Sequence, residues 1–144
     1  MIEPNHDKSA FWEAVFGGAV AGALAAALNG AYFFAFRAAT GFSGAEPGLG
    51  SIVVSSLFPS VLAGFGYAFL MRLTEKSRGL FVALVALITL GSFAGAFQPT
   101  LPSGALKPAG FDQLVMPMHV VVGFLAAWLI PFFAACPSSA RLAR

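Results

Sequence analysis

The chain has 144 residues, of which 58% are hydrophobic and only 10% charged, where ordinary soluble domains carry about 25% charge. With a mean hydropathy of +0.83 it reads as a membrane protein. Its net charge of +2 builds no basic face for nucleic acid. The single cysteine, Cys136, excludes an internal disulfide, a CxxC redox pair and a cysteine metal cage.

The opening "MIEPNHDK" is acidic rather than basic, and the apolar run behind it exceeds the roughly 7–15 residues of a signal-peptide core. Ala10 to Phe36 is therefore read as a retained first membrane span. Its one charge, Glu13, sits in the first turn, where it favours the positive end of the helix dipole. Gly18, Gly22, Ala25 and Asn29 fall on one stripe, the first two as a GxxxG, and close packing of such small residues is what draws helices together in lipid. "RAATGFSGAEPGLG" then supplies turn signals. The second span, Ser51 to Met71, carries Ser56, Ser60, Ala63 and Tyr67 along one stripe with Gly64 beside it.

A short basic turn, "RLTEKSR", leads to the third span, Gly79 to Phe97. Here Thr89, Ser92 and Ala96 share a face, and Gly91 and Gly95 make a second GxxxG. The longer loop "QPTLPSGALKPAGFD" precedes the fourth span, Gln113 to Cys136, whose inward stripe holds Met116, His119, Gly123 and Ala126 or Ala127. Pro59, Pro117 and Pro131 remove backbone donors and tend to kink their helices. Trp12 and Trp128 suit interfacial belts. "CPSSARLAR" reads as a short cytoplasmic tail in which Cys136 is a free thiol near the inner interface.

Four spans of about 20 or more apolar residues make one all-α domain, a four-helix transmembrane bundle covering residues 1–144. Four crossings put the N-terminus, the middle turn and the C-terminus on one side, with Lys8, Arg72, Lys76, Arg78, Arg141 and Arg144. The opposite side has only Arg37 and Lys107. Since basic residues gather on cytoplasmic flanks, both termini are expected inside, in a bacterial cytoplasmic membrane.

At about 1.5 Å per residue, Asn29, Ser56, Ser60, Thr89, Ser92 and His119 all fall in the outer half of the bundle. They are expected to converge on a polar pocket open to the outer loops, with Arg37, Gln98 and Asp112 at its rim. A buried imidazole without a partner costs several kcal/mol, so His119 is expected to bond Asn29, Ser56, Ser60 or Thr89. Two readings stand side by side: helix glue, or a ligand or proton site, the default for an intramembrane ionisable residue. Pro59 and Pro117 could widen this half into a cavity, as broken helices do in transporters.

Catalytic and metal chemistry find little support. Two histidines, one of them His6 in the polar tail, exclude a bis-histidine haem within one chain. Met116, Met118 and His119 are soft ligands without the further Cys or His that copper asks for. The sequence holds no HExxH, GxSxG or P-loop, and no pair of carboxylates within a span. No cofactor, metal site or catalytic residue is assigned.

Four stretches carry a resemblance: "AGALAAALNGAYFF" in the first span, "RLTEKSRGLF" at the middle turn, "FAGAFQPTLP" after the third and "LVMPMHVVVG" in the fourth. Together they resemble an uncharacterised family of small bacterial four-span integral membrane proteins with Met-His in the fourth span, classed as a domain of unknown function. The resemblance implies a topology and draws attention to Met118 and His119 without an activity.

The expectation is a non-enzymatic bundle that binds a small or lipophilic ligand, or a partner membrane protein, through the outer-half pocket. An oligomeric small-solute or proton-linked transporter is the alternative, and a membrane-embedded enzyme using His119 the third. Partners expected are the lipid bilayer and either further copies of the chain or a larger membrane complex.

Overall fold

The computed structural model describes residues 4–101 and 103–135; the tail with Cys136, Arg141 and Arg144 lies outside them. Four helical segments long and apolar enough to cross a membrane, the third of them Ser77–Gly95, make up an all-α bundle. Their α-helices are α1 (Pro4–Thr40), α2 (Leu49–Leu73), α3 (Ser77–Ser92) and α4 (Phe111–Ala135).

At 37 residues α1 is far longer than the 20 or so that a bilayer needs, so it projects beyond the hydrocarbon or tilts within it. It stops where Gly41 takes a left-handed φ of 69° and donates its N–H to the Arg37 carbonyl at 3.0 Å. That conformation is cheap only for glycine. The third crossing differs from the expected continuous helix. α3 ends at Ser92, and Phe93–Phe97 follow as a 3-10 helix. Sixteen α-helical residues span about 24 Å, short of the roughly 30 Å hydrocarbon core. The tighter helix rises about 2 Å per residue and makes up the difference. Gln98 is then extended, as a residue before proline prefers.

α1, α2 and α4 form the dense part of the bundle. A Cβ on Gly18 would lie 2.5 Å from the Ser60 carbonyl oxygen, one on Gly22 2.8 Å from Leu57 Cα, and one on Gly64 2.7 Å from the Ala14 carbonyl oxygen. These glycines let the backbones of α1 and α2 touch, which is the expected role of the first GxxxG. On the other side of α1, Gly17 faces Ile130 and Phe133 of α4. Three clusters run along this seam. Ala14, Tyr67, Phe81 and Ile130 lie at the terminal end, Ala21, Ala25 and Leu125 in the middle, and Phe33, Phe42, Ile52, Leu114 and Met118 at the loop end.

α3 is peripheral. Only 6% of its span is buried, against 28% for α1 and α4 and 33% for α2. Its second GxxxG mediates no packing within the chain: a Cβ at Gly91 or Gly95 would meet nothing within 4 Å. Nor do the prolines break their helices, since α2 runs through Pro59 and α4 through Pro117 and Pro131. The carbonyl that Pro117 leaves without its helical donor, that of Gln113, accepts a bond from the Tyr32 hydroxyl at 2.9 Å.

Candidate functional site

The six polar residues expected in one pocket divide into three places. Asn29, Ser56 and Ser60 come together, each at most 2% exposed. The Asn29 amide Nδ2 donates to Ser56 Oγ at 3.1 Å and to the Met118 carbonyl at 3.3 Å, tying α1 to α2 and α4. Ser60 turns back on its own helix and donates to the Ser56 carbonyl at 2.8 Å, as membrane serines often do. Asn29 Oδ1 is, among the described residues, the one buried side-chain oxygen or nitrogen with no partner. The contact is not open to the loops. Phe33, Phe42, Ile52, Leu114 and Met118 pack between it and the loop end.

On α3, Ser92 donates to the Thr89 carbonyl at 2.6 Å, and Thr89 itself meets α4. A Cβ at Gly123 would collide with the Thr89 side chain, so this glycine sets how closely α3 can approach. His119 lies on α4, one turn towards the loop end from Gly123. It is only partly buried. Neither Asn29, Ser56, Ser60 nor Thr89 bonds it, and no hydrogen bond to its ring exists among the described residues. The expected bond is not formed: the Asn29 amide nitrogen donates to Ser56 and Met118, and its Oδ1 is left without a partner.

The rim residues are dispersed as well. Arg37 stands over the Phe33 ring at 5.2 Å, Gln98 is exposed, and Asp112 pairs with Lys107 Nζ at 2.9 Å across the end of the long loop. No group of three or more His, Cys, Asp or Glu side chains able to hold a metal occurs among the described residues.

What the peripheral third helix creates is a groove. It runs along the flank of the bundle between α3 and α4, with a volume of about 350 Å³. α3 lines it with Val82, Val85, Ala86, Thr89 and Leu90, and Phe93 continues the wall; α4 adds Val120, Gly123, Phe124 and Ala127. Thr89 is the only lining residue with a polar side chain. The volume falls in the range of small-molecule sites, roughly 300–1,000 Å³. Sequence reasoning put Thr89 in the expected polar pocket and Gly123 on the inward stripe of the fourth span, and missed the groove. The available signal was α3 itself, where Leu84, Leu87, Ile88 and Leu90 leave too few small residues for a tight seam against α4.

Comparison with protein-family models, with curated proteins and with solved structures finds no match to this chain.

Proposed function

We propose that this integral membrane protein is a non-catalytic binding protein, and that its site is the lateral groove between α3 and α4, which takes a lipophilic ligand from the bilayer. The observation that carries the reading is the lining: ten residues, only Thr89 polar, around about 350 Å³ on the lipid-facing flank. An apolar ligand enters such a groove without stripping water from polar groups, and it recovers dispersion contacts that loosely packed lipid tails supply poorly. The buried Asn29–Ser56–Met118 contact then serves as helix glue. For location we propose a bacterial cytoplasmic membrane with both termini cytoplasmic, on the strength of the basic residues gathered at the terminal end.

The test is photolabelling in lipid nanodiscs with a diazirine-bearing alkane. Saturable labelling on the peptides 82–93 and 120–127, competed by unlabelled alkane, is expected, and Ala86→Trp or Ala127→Phe should remove it by filling the groove. Uniform, non-saturable labelling around the whole lipid-facing surface would contradict the proposal.

A further inference from the structure

An apolar groove alone does not choose among hydrocarbons, but His119 stands beside it. This imidazole is partly buried within a span, it directly precedes the lining residue Val120, and it has no hydrogen-bond partner among the described residues. In hydrocarbon an imidazole N–H without an acceptor costs several kcal/mol. Two backbone carbonyls near it already accept side-chain bonds, that of Met118 from Asn29 and that of Thr89 from Ser92, and the unpartnered Asn29 Oδ1 receives nothing from the ring.

Resting on the proposed groove, we infer that its ligand is a long-chain lipophile with a small uncharged head bearing a carbonyl or hydroxyl oxygen, and that His119 donates to that oxygen. The tail lies along Val85, Ala86, Phe124 and Ala127, and the head lies towards the loop end. Depth decides the class of head. Asp112, paired with Lys107 near the end of α4, marks the interface, and His119 lies seven residues further in, about 10 Å. A phosphate or other ionised head would have to leave water to reach it, at a cost that one hydrogen bond does not offset. A ketone, quinone or alcohol oxygen loses much less. The ester groups of phospholipids stay at the interface, so ordinary bilayer lipid does not satisfy His119.

The experiment compares hexadecan-2-one with hexadecane as competitors in the same photolabelling assay, with dioleoylphosphatidylcholine, the nanodisc lipid, as background. The ketone is expected to compete about five- to tenfold more strongly than the alkane, the effect of one added hydrogen bond. His119→Leu should abolish the difference while leaving alkane competition intact, and His119→Gln, which keeps a donor, should preserve part of it. Retained alkane competition also reports that the variant is folded. Equal competition by ketone and alkane in the wild type overturns this inference but leaves the groove standing. Failure of both to compete sinks the groove itself. A ketone preference that survives His119→Leu assigns the head to another residue and overturns the inference. Stronger competition from hexadecyl phosphate than from the ketone overturns the choice of an uncharged head.

Discussion

One Asn29 amide joins three helices, through Ser56 and the Met118 carbonyl. Interhelical hydrogen bonds in membranes are worth about 0.6 to 2 kcal/mol each, while the unpartnered Oδ1 works against them. Asn29→Ala should therefore destabilise the protein by about 1–2 kcal/mol in denaturation with SDS followed by far-UV circular dichroism. Ser56→Ala, which leaves the bond to Met118 in place, should cost less, about 0.6 kcal/mol. An unchanged midpoint for Asn29→Ala would show that this contact holds nothing together. Tyr32 has a related task, since its hydroxyl supplies the Gln113 carbonyl with the donor that Pro117 cannot. Tyr32→Phe is expected to cost about 0.5–1 kcal/mol in the wild type and less in a Pro117→Ala background, where the helix provides its own N–H. The sequence placed Asn29 and Ser56 on facing stripes, and their contact follows from that. It could not place the bond to Met118, because a backbone carbonyl leaves no mark in the residue pattern.

At the scale of helices, glycines separate the dense seam from the loose one. Gly18, Gly22 and Gly64 each face backbone at 2.5–2.8 Å from a built Cβ, so alanine there must push α1 and α2 apart. Gly18→Ala and Gly64→Ala should each cost about 1–3 kcal/mol, the usual cost of overpacking. Gly91→Ala and Gly95→Ala, with nothing within 4 Å, should stay within about 0.5 kcal/mol of wild type. The same denaturation series checks all four, and equal losses at Gly18 and Gly91 would contradict the packing described. Gly123 is a third case because its neighbour is the Thr89 side chain rather than backbone. Gly123→Ala should loosen α3, and adding Thr89→Ala should recover most of the loss, a coupling that a double-mutant cycle reads directly. Both GxxxG motifs look alike in the sequence. Only one packs, because the first meets the Ser- and Gly-bearing stripe of α2, while Leu87, Ile88 and Leu90 beside the second keep that part of α3 in lipid.

For the whole molecule, three tightly packed crossings carry a fourth that is held mainly at its terminal end, where the Phe81 ring meets that of Tyr67 at a tilt of 56°, 4.8 Å between centroids. Amide hydrogen exchange in nanodiscs should therefore show α3 opening before α1, α2 and α4, since few buried contacts hold it. Uniform protection of all four helices would contradict a peripheral α3. The number of crossings and the all-α bundle were legible in the sequence, because hydropathy over 20 residues is a strong signal and the basic residues divide consistently with four spans. The groove was not, because it depends on how far one helix stands from another, which residue periodicity does not encode. The polar residues were mistaken for one pocket for the same reason: shared depth brings side chains to one level, but not to one side of a helix. The proposed role stands most directly on what the protein carries out of its membrane. Native mass spectrometry of wild type and Ala127→Phe, released from mild detergent, should find a defined lipophilic adduct on the wild type that the groove-filling variant lacks while remaining helical. An adduct retained in full by Ala127→Phe, or a wild type that carries none after extraction in lipid-preserving detergent, would contradict a ligand-binding groove between α3 and α4.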